Sequence, residues 1–237
     1  ALIEKTVKET YAWKCKIEIV RNLAAKAVFS NSTKSLRLRK GAEFSRRHAL
    51  ALAHHEIGVH MLTTVNAHEQ PLKFLSIGLP VNTRTQEGLA ILSEYLSGYL
   101  DIYRLKQLAL RVIAVSHMIK GESFRRVFEW LVDTYAVDPD AAYYITARVF
   151  RGGGFTKDHL YLKGFAQVLS YYQSKKPMEP LLIGKVNIDY VATLDEMMHR
   201  GILAKPEFVT PCFRTPNSID PRLEYVVNNL IRKPAQA

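Results

Sequence analysis

Cysteine is scarce in this chain. Cys15 and Cys212 are the two in 237 residues, too few for a disulfide framework and without the close spacing of a thiolate metal site. The expected setting is therefore a reducing cytoplasm. No apolar run approaches the roughly 18 residues of a membrane span, and Ala1-Leu2-Ile3-Glu4-Lys5 lacks the basic-then-apolar pattern of an export signal. The chain opens on Ala1 rather than Met, so a fragment of a longer protein is expected. Internal repeats, low-complexity tracts and Gly/Ser linkers are missing too. One domain over 1–237 is the expectation, with a sheet subregion at about 14–40 and a helical one at about 45–233. Acidic residues are outnumbered, 22 against 33 basic, for a net charge of +11. That excess favours an anionic partner: nucleic acid, an anionic membrane surface or an acidic polypeptide. The basic clusters at Lys34 to Lys40, Arg46-Arg47, Arg125-Arg126 and Lys175-Lys176 sit in no nucleic-acid module with interleaved aromatics. They read as solvated faces, and nucleic acid is not the expected partner.

What is present is an ordinary globular composition, 48% hydrophobic and 23% charged, with length enough for a buried core. A helix is predicted to about Tyr11. Lys16 to Val20, Ala27 to Ser30 and Leu36 to Leu38 then alternate or enrich β-formers between polar turns, which predicts a small antiparallel sheet. Ser45 is placed to cap a helix from Arg46 through Thr63 with an apolar stripe of Ala49, Leu52, Ala53, Ile57 and Met61. Pro71, Gly78 and Pro80 mark a loop before a helix from Thr85 to Tyr99. Further helices are predicted at about 102–118, 122–136, 139–150, 156–173, 188–200 and 221–232, two of them opened by Asp138-Pro139 and Asp220-Pro221. The fold class is α+β and mainly α-helical.

The chemistry concentrates in His55-Glu56-Ile57-Gly58-Val59-His60. The zinc-peptidase helix carries His-Glu-x-x-His, with both imidazoles on one face at i and i+4. Here the second His falls at i+5. At about 100° per residue, i+4 turns a ligand by roughly 40° and i+5 by roughly 140°, so a regular α-helix aims the two rings apart. A π-bulge, a one-residue insertion that absorbs the difference, removes the objection, and Gly58 is where it forms most easily. Dipeptidyl-peptidase III enzymes, with His-Glu-x-x-x-His, are an analogous case. A catalytic zinc takes three protein ligands and leaves one position open. The third is expected to be Glu87, in Gln86-Glu87-Gly88-Leu89-Ala90 on the next long helix. Glu94, seven residues on and on the same face, is expected to orient an imidazole. Glu56, beside the first ligand, is placed to reach the attacking water rather than the metal, and is the expected general base.

The two motifs, in this order and separation, resemble those of the QEGLA-motif proteins, a family of flavohemoglobin-expression modulators and microtubule-associated tyrosine carboxypeptidases. The resemblance implies a zinc metallopeptidase with ligands His55, His60 and Glu87 and catalytic Glu56, and a reaction at a protein C-terminus, since the eukaryotic members remove a terminal tyrosine from tubulin. A carboxypeptidase must pair its substrate's terminal carboxylate with fixed cations. Arg148 and Arg151, running into Gly152-Gly153-Gly154, are the expected pair. Tyr161, or else His117 or an Arg, is the expected donor to the developing oxyanion. The competing reading is a catalytically silent metal-binding regulator that acts through a partner.

Overall fold

The computed structural model describes residues 2–11, 16–30, 32–152 and 157–231; Cys15 lies outside them. Among the described residues no helix is long and apolar enough to cross a membrane. The chain divides into two compact units, 1–100 with 164–237, and 101–163.

In the first unit, α1 (Leu2–Tyr11) precedes β1 (Lys16–Val20), β2 (Ala27–Ser30) and β3 (Ser35–Arg39). The sheet stands where the alternation predicts it, but it is mixed rather than antiparallel throughout. β3 lies between the other two, antiparallel to β2 and parallel to β1. A short turn joins β2 to β3 as a hairpin. β1 then reaches β3 on its far edge, where the chain direction makes the pair parallel. β2 is left as an edge strand, and it packs on the helix that follows.

That helix begins as expected. The Ser45 side chain accepts from the His48 N–H at 3.2 Å and caps α2 (Arg46–Leu52). It then changes hydrogen-bonding register and runs as a π-helix from Ala53 to Met61 before reverting to α3 (Leu62–His68). The predicted distortion is therefore a nine-residue π segment with Gly58 inside it. The wider π turn misaligns the backbone ladder, and side chains from elsewhere supply donors to its carbonyls. Ser93 Oγ donates to His54 O at 2.9 Å, Thr210 Oγ1 to Gly58 O at 2.6 Å, and Thr63 Oγ1 to Val59 O at 2.8 Å. His60 O receives Thr64 Oγ1 at 2.7 Å and Lys185 Nζ at 2.8 Å.

After α4 (Phe74–Ile77), a short helix inside the predicted loop, comes α5 (Asn82–Leu96). Every residue of α5 from Thr85 to Leu96 is buried, so it is the central helix of this unit. Gly88 explains part of that position. A Cβ there would strike the backbone of Gly164 in α9 (Asp158–Gln173), so these helices meet backbone to backbone. The rest of the unit is α10 (Val191–His199), α11 (Pro211–Arg214), α12 (Pro221–Ile231) and two 3₁₀ turns, Glu179–Leu181 and Ile188–Tyr190. One of these turns takes up the start of the helix predicted at 188–200.

The second unit contains α6 (Ile102–Ile119), α7 (Phe124–Tyr135), α8 (Pro139–Phe150) and the first turns of α9. Asp101, Ser123 and Asp138 cap the first three helices. Leu110, Ala114, Val127, Leu131, Ala142, Ile145 and Val149 form its core.

Gly58 serves packing as well as helix register. The first unit's core joins Val7 and Tyr11 of α1, Phe29 of β2 and Leu36 of β3 to Ala53, Ile57 and Met61. A Cβ on Gly58 would fall on the Tyr11 hydroxyl. Gly58→Ala is expected to cost about 1–3 kcal/mol of overpacking, read as a fall in the denaturation midpoint. Adding Tyr11→Phe should return part of the loss, and equal losses in the single and double variants would show that the Tyr11 contact is not the cause.

Candidate metal centre

Within the π-helix, residues five apart share a face, and His55 and His60 do so: their ring centroids are 5.1 Å apart with planes at 78°. α5 crosses this face and brings Glu87 to both, with His55 Nε2 to Glu87 Oε2 at 3.5 Å and His60 Nε2 to the same oxygen at 3.8 Å. One donor atom from each of the three residues lies within 4.8 Å of the others. Tetrahedral zinc with bonds of about 2.0–2.2 Å holds its donors about 3.4 Å apart. The two imidazole–carboxylate distances are already within a few tenths of an ångström of that spacing, and two imidazole nitrogens with a carboxylate oxygen are a donor set that suits a divalent transition metal.

The environment orients the donors. Glu94 Oε1 bonds His55 Nδ1 at 2.7 Å, which leaves Nε2 facing the centre. Burial alone would push His55 down, but hydrogen bonds to Glu87 and Glu94 overcome it and hold the imidazole up at about 10. Burial would likewise raise Glu87, yet the two imidazoles hold its carboxyl well below the usual range. Glu56 is buried beside the centre, with Oε2 accepting the Phe29 N–H of β2 at 2.9 Å. The edge strand therefore fixes one carboxylate oxygen and leaves the other to the site.

The neighbouring His54 plays a different part. Its Nδ1 pairs with the Tyr11 hydroxyl at 2.7 Å and its ring stacks on Tyr99 with centroids 5.4 Å apart. Burial lowers it to about 4, so it is neutral near pH 7.

Each position of Gln86-Glu87-Gly88-Leu89-Ala90 has a distinct physical task. Glu87 faces the two histidines, Gly88 admits α9, and Leu89 and Ala90 fill the core. Gln86 Oε1 accepts from Thr63 Oγ1 at 2.9 Å and from Lys185 Nζ at 3.3 Å, while its Nε2 donates to Gly184 O at 3.3 Å.

Lys185 is the residue that sequence reasoning missed. It is buried, donates to His60 O, Thr63 Oγ1 and Gln86 Oε1, and is pushed down to about 8 by burial against the pull of Glu56 and Glu87. A single lysine inside the apolar run from Leu181 to Val186 is the signal that could have revealed it.

Arg148, Arg151, Tyr161 and His117 belong to the second unit. Arg148 grips Asp158 with Nε at 3.0 Å and Nη2 at 2.7 Å from Oδ1, and its side chain also bonds Tyr161. Arg151 is the exposed C-cap of α8. His117 pairs with Glu122 at 2.8 Å and packs on Trp130. Gly153 to Thr156, the rest of the expected glycine-rich turn, lie outside the described residues.

A mainly helical α+β chain with a His-Glu-x-x-x-His π-helix and a carboxylate from the next long helix forms a candidate mononuclear metal centre. The sequence model of the microtubule-associated tyrosine carboxypeptidases matches residues 1–230. The chain belongs to that family. It is similar to microtubule-associated tyrosine carboxypeptidase 1 of Rattus norvegicus, 31% identical over 64% of this chain and 33% of the relative, and of Homo sapiens, 29% identical over 83% and 43%. It is also similar to the putative tyrosine carboxypeptidase MATCAP2 of Mus musculus, 29% identical over 70% and 33%. The chain spans a third to under half of the length of these relatives.

If the centre holds a divalent metal, Glu94→Ala is expected to weaken its binding about 10- to 100-fold through loss of the imidazole's orientation, read with zinc by competition with a chromophoric chelator. The raised His55 also has a signed pH consequence. Its stabilisation of the ion-free protein is full below 6.5, its ordinary value, and is lost as pH rises through about 10. Across that window a divalent metal bound at the centre would have to displace the proton, so its affinity should climb with pH. Calorimetric titrations in buffers of different ionisation enthalpy at pH 7.5 should show proton release, and a proton-neutral uptake would reject this account.

Proposed function

We propose that the chain is the catalytic core of a zinc-dependent carboxypeptidase that removes a C-terminal residue, tyrosine by analogy with its relatives, from a peptide or protein. The observation that carries this reading is the set of His55, His60 and Glu87 donors gathered within 4.8 Å on a π-helix, with Glu56 adjacent in sequence to the first ligand. A zinc ion held by these three residues would polarise the scissile carbonyl and acidify water at neutral pH. Glu56, with one oxygen held by the Phe29 N–H, takes the proton of the attacking water and passes it to the departing amine. Glu94 keeps His55 in the orientation that serves the centre, and Lys185 ties the His60 carbonyl to Gln86 so that the π register persists.

In this reading Arg148 and Arg151 meet the substrate's terminal carboxylate, Tyr161 donates to the oxyanion, and residues 1–237 act as one catalytic domain in the cytoplasm. The +11 charge suits an acidic substrate tail. The family membership supports the reaction class, and the buried, paired donor set supports metal dependence.

Glu56→Gln should bind zinc as the parent does and lose turnover of a C-terminally varied peptide library by at least about 100-fold, the scale of a lost general base. Full turnover in that variant would remove the assigned mechanism. Zinc binding without turnover in the parent protein would favour the regulatory reading instead.

A further inference from the structure

The stretch from Leu182 to Asn187, between the two 3₁₀ turns of the first unit, is buried at every position although it forms no helix or strand. Its backbone is fixed by its neighbours. The Lys185 N–H donates to Leu75 O at 3.0 Å and its carbonyl accepts the Leu79 N–H at 2.8 Å. Leu182 O accepts Asn66 Nδ2 at 2.8 Å and Gly184 O accepts Gln86 Nε2 at 3.3 Å. None of these bonds needs a lysine side chain, and an apolar residue at 185 would suit the run of Leu181, Leu182, Ile183 and Val186 around it.

The side chain that stands there is expensive. An ammonium has three N–H groups, and those of Lys185 meet three neutral oxygens: His60 O at 2.8 Å, Thr63 Oγ1 at 3.0 Å and Gln86 Oε1 at 3.3 Å. No carboxylate shares them to offset the cost of burying the charge. What the three bonds do achieve is a link between elements. His60 is a candidate ligand on the π-helix, and Gln86 precedes the candidate ligand Glu87 on α5. One nitrogen therefore ties the backbone of one ligand to the side chain beside the other. Glu94 orients the His55 ring directly; His60 and Glu87 are joined through Lys185 and Gln86.

We infer that Lys185 is a positioning residue of the metal centre, a bridge between helices that fixes the spacing of His60 and Glu87. The inference rests on the metal-centre reading of His55, His60 and Glu87 and goes beyond it by assigning what sets their separation. It also has a sign that charge alone does not give. Lys185 lies within electrostatic reach of Glu56 and Glu87, so a cation acting only through its field would repel a metal ion, and its removal would tighten binding. A bridge that holds two ligands in place does the opposite.

The test is the zinc affinity of the full chain, read by chelator competition, with the melting temperature of the metal-free protein beside it. Lys185→Met should weaken zinc about 10- to 100-fold, the scale of a lost outer partner of a ligand. Gln86→Met breaks the same link from the other side and should weaken zinc as well; it carries the test if Lys185→Met does not fold. The double variant should lose less than the product of the two single losses, because both remove one connection. Asn66→Leu frees the same segment at Leu182 without touching the link, so it should lower the melting temperature while zinc affinity and the visible absorption of cobalt(II) at the centre stay as in the parent. That absorption should change in Lys185→Met. Zinc affinity in Lys185→Met tighter than the parent's or within about twofold of it, or a cobalt spectrum altered equally by Asn66→Leu, overturns the proposal. A parent chain that binds neither metal overturns it together with metal dependence. Failure of the peptidase reading alone would show as absent hydrolysis by a parent chain whose zinc affinity still depends on Lys185.

Discussion

The π register from Ala53 to Met61 is the constraint on which the candidate metal centre depends. Two imidazoles at i and i+5 converge only if the backbone closes its hydrogen bonds one residue wider than in an α-helix. Such a turn is poor at satisfying its own carbonyls, so it persists where the fold supplies other donors. Ser93, Thr210, Thr63, Thr64 and Lys185 supply them, from α5, from the chain entering α11, from α3 and from the segment that follows the Glu179–Leu181 turn. The candidate centre is therefore held by contacts from several segments of the first unit.

The same elements answer the electrostatic problem. Glu87 and Glu94 ride on a helix whose residues from Thr85 onward are buried, where an unpaired carboxylate is very costly. Both face His55, and the shared imidazole makes their burial tolerable without metal. Lys185 adds a cation on the far side of the His60 carbonyl. The result is a donor set in which a proton and a metal ion would compete for one position, as expected of ligands that must be ionised or neutral before they can coordinate.

Sheet and helix also meet at the candidate site. β2 uses its free edge to present the Phe29 N–H to Glu56, an arrangement available because β3, not β2, takes the middle of the sheet. α1 closes the opposite side through Tyr11, whose hydroxyl occupies the space that a side chain on Gly58 would need and pairs with His54. His54 is thereby committed to packing while its neighbour His55 faces the centre.

Much of this was legible in the chain itself. Apolar periodicity, Ser45 and the Asp-Pro pairs locate the helices, and the i+5 spacing read against a 3.6-residue turn predicts the distortion around Gly58 before any coordinates, because helix geometry is local. Motif spacing likewise singles out Glu87 and Glu94. Three things depended on the tertiary structure. The parallel pairing of β1 with β3 follows from chain reversal in space, which alternation does not encode. Lys185 reaches the His60 carbonyl across 125 positions of sequence, a contact no local pattern records. Arg148 and Arg111 are both arginines on helices in sequence; only packing shows that Asp158 holds one and leaves the Nε of the other without an acceptor, because charge compensation is decided by what lies within a few ångströms rather than by what lies nearby in the chain.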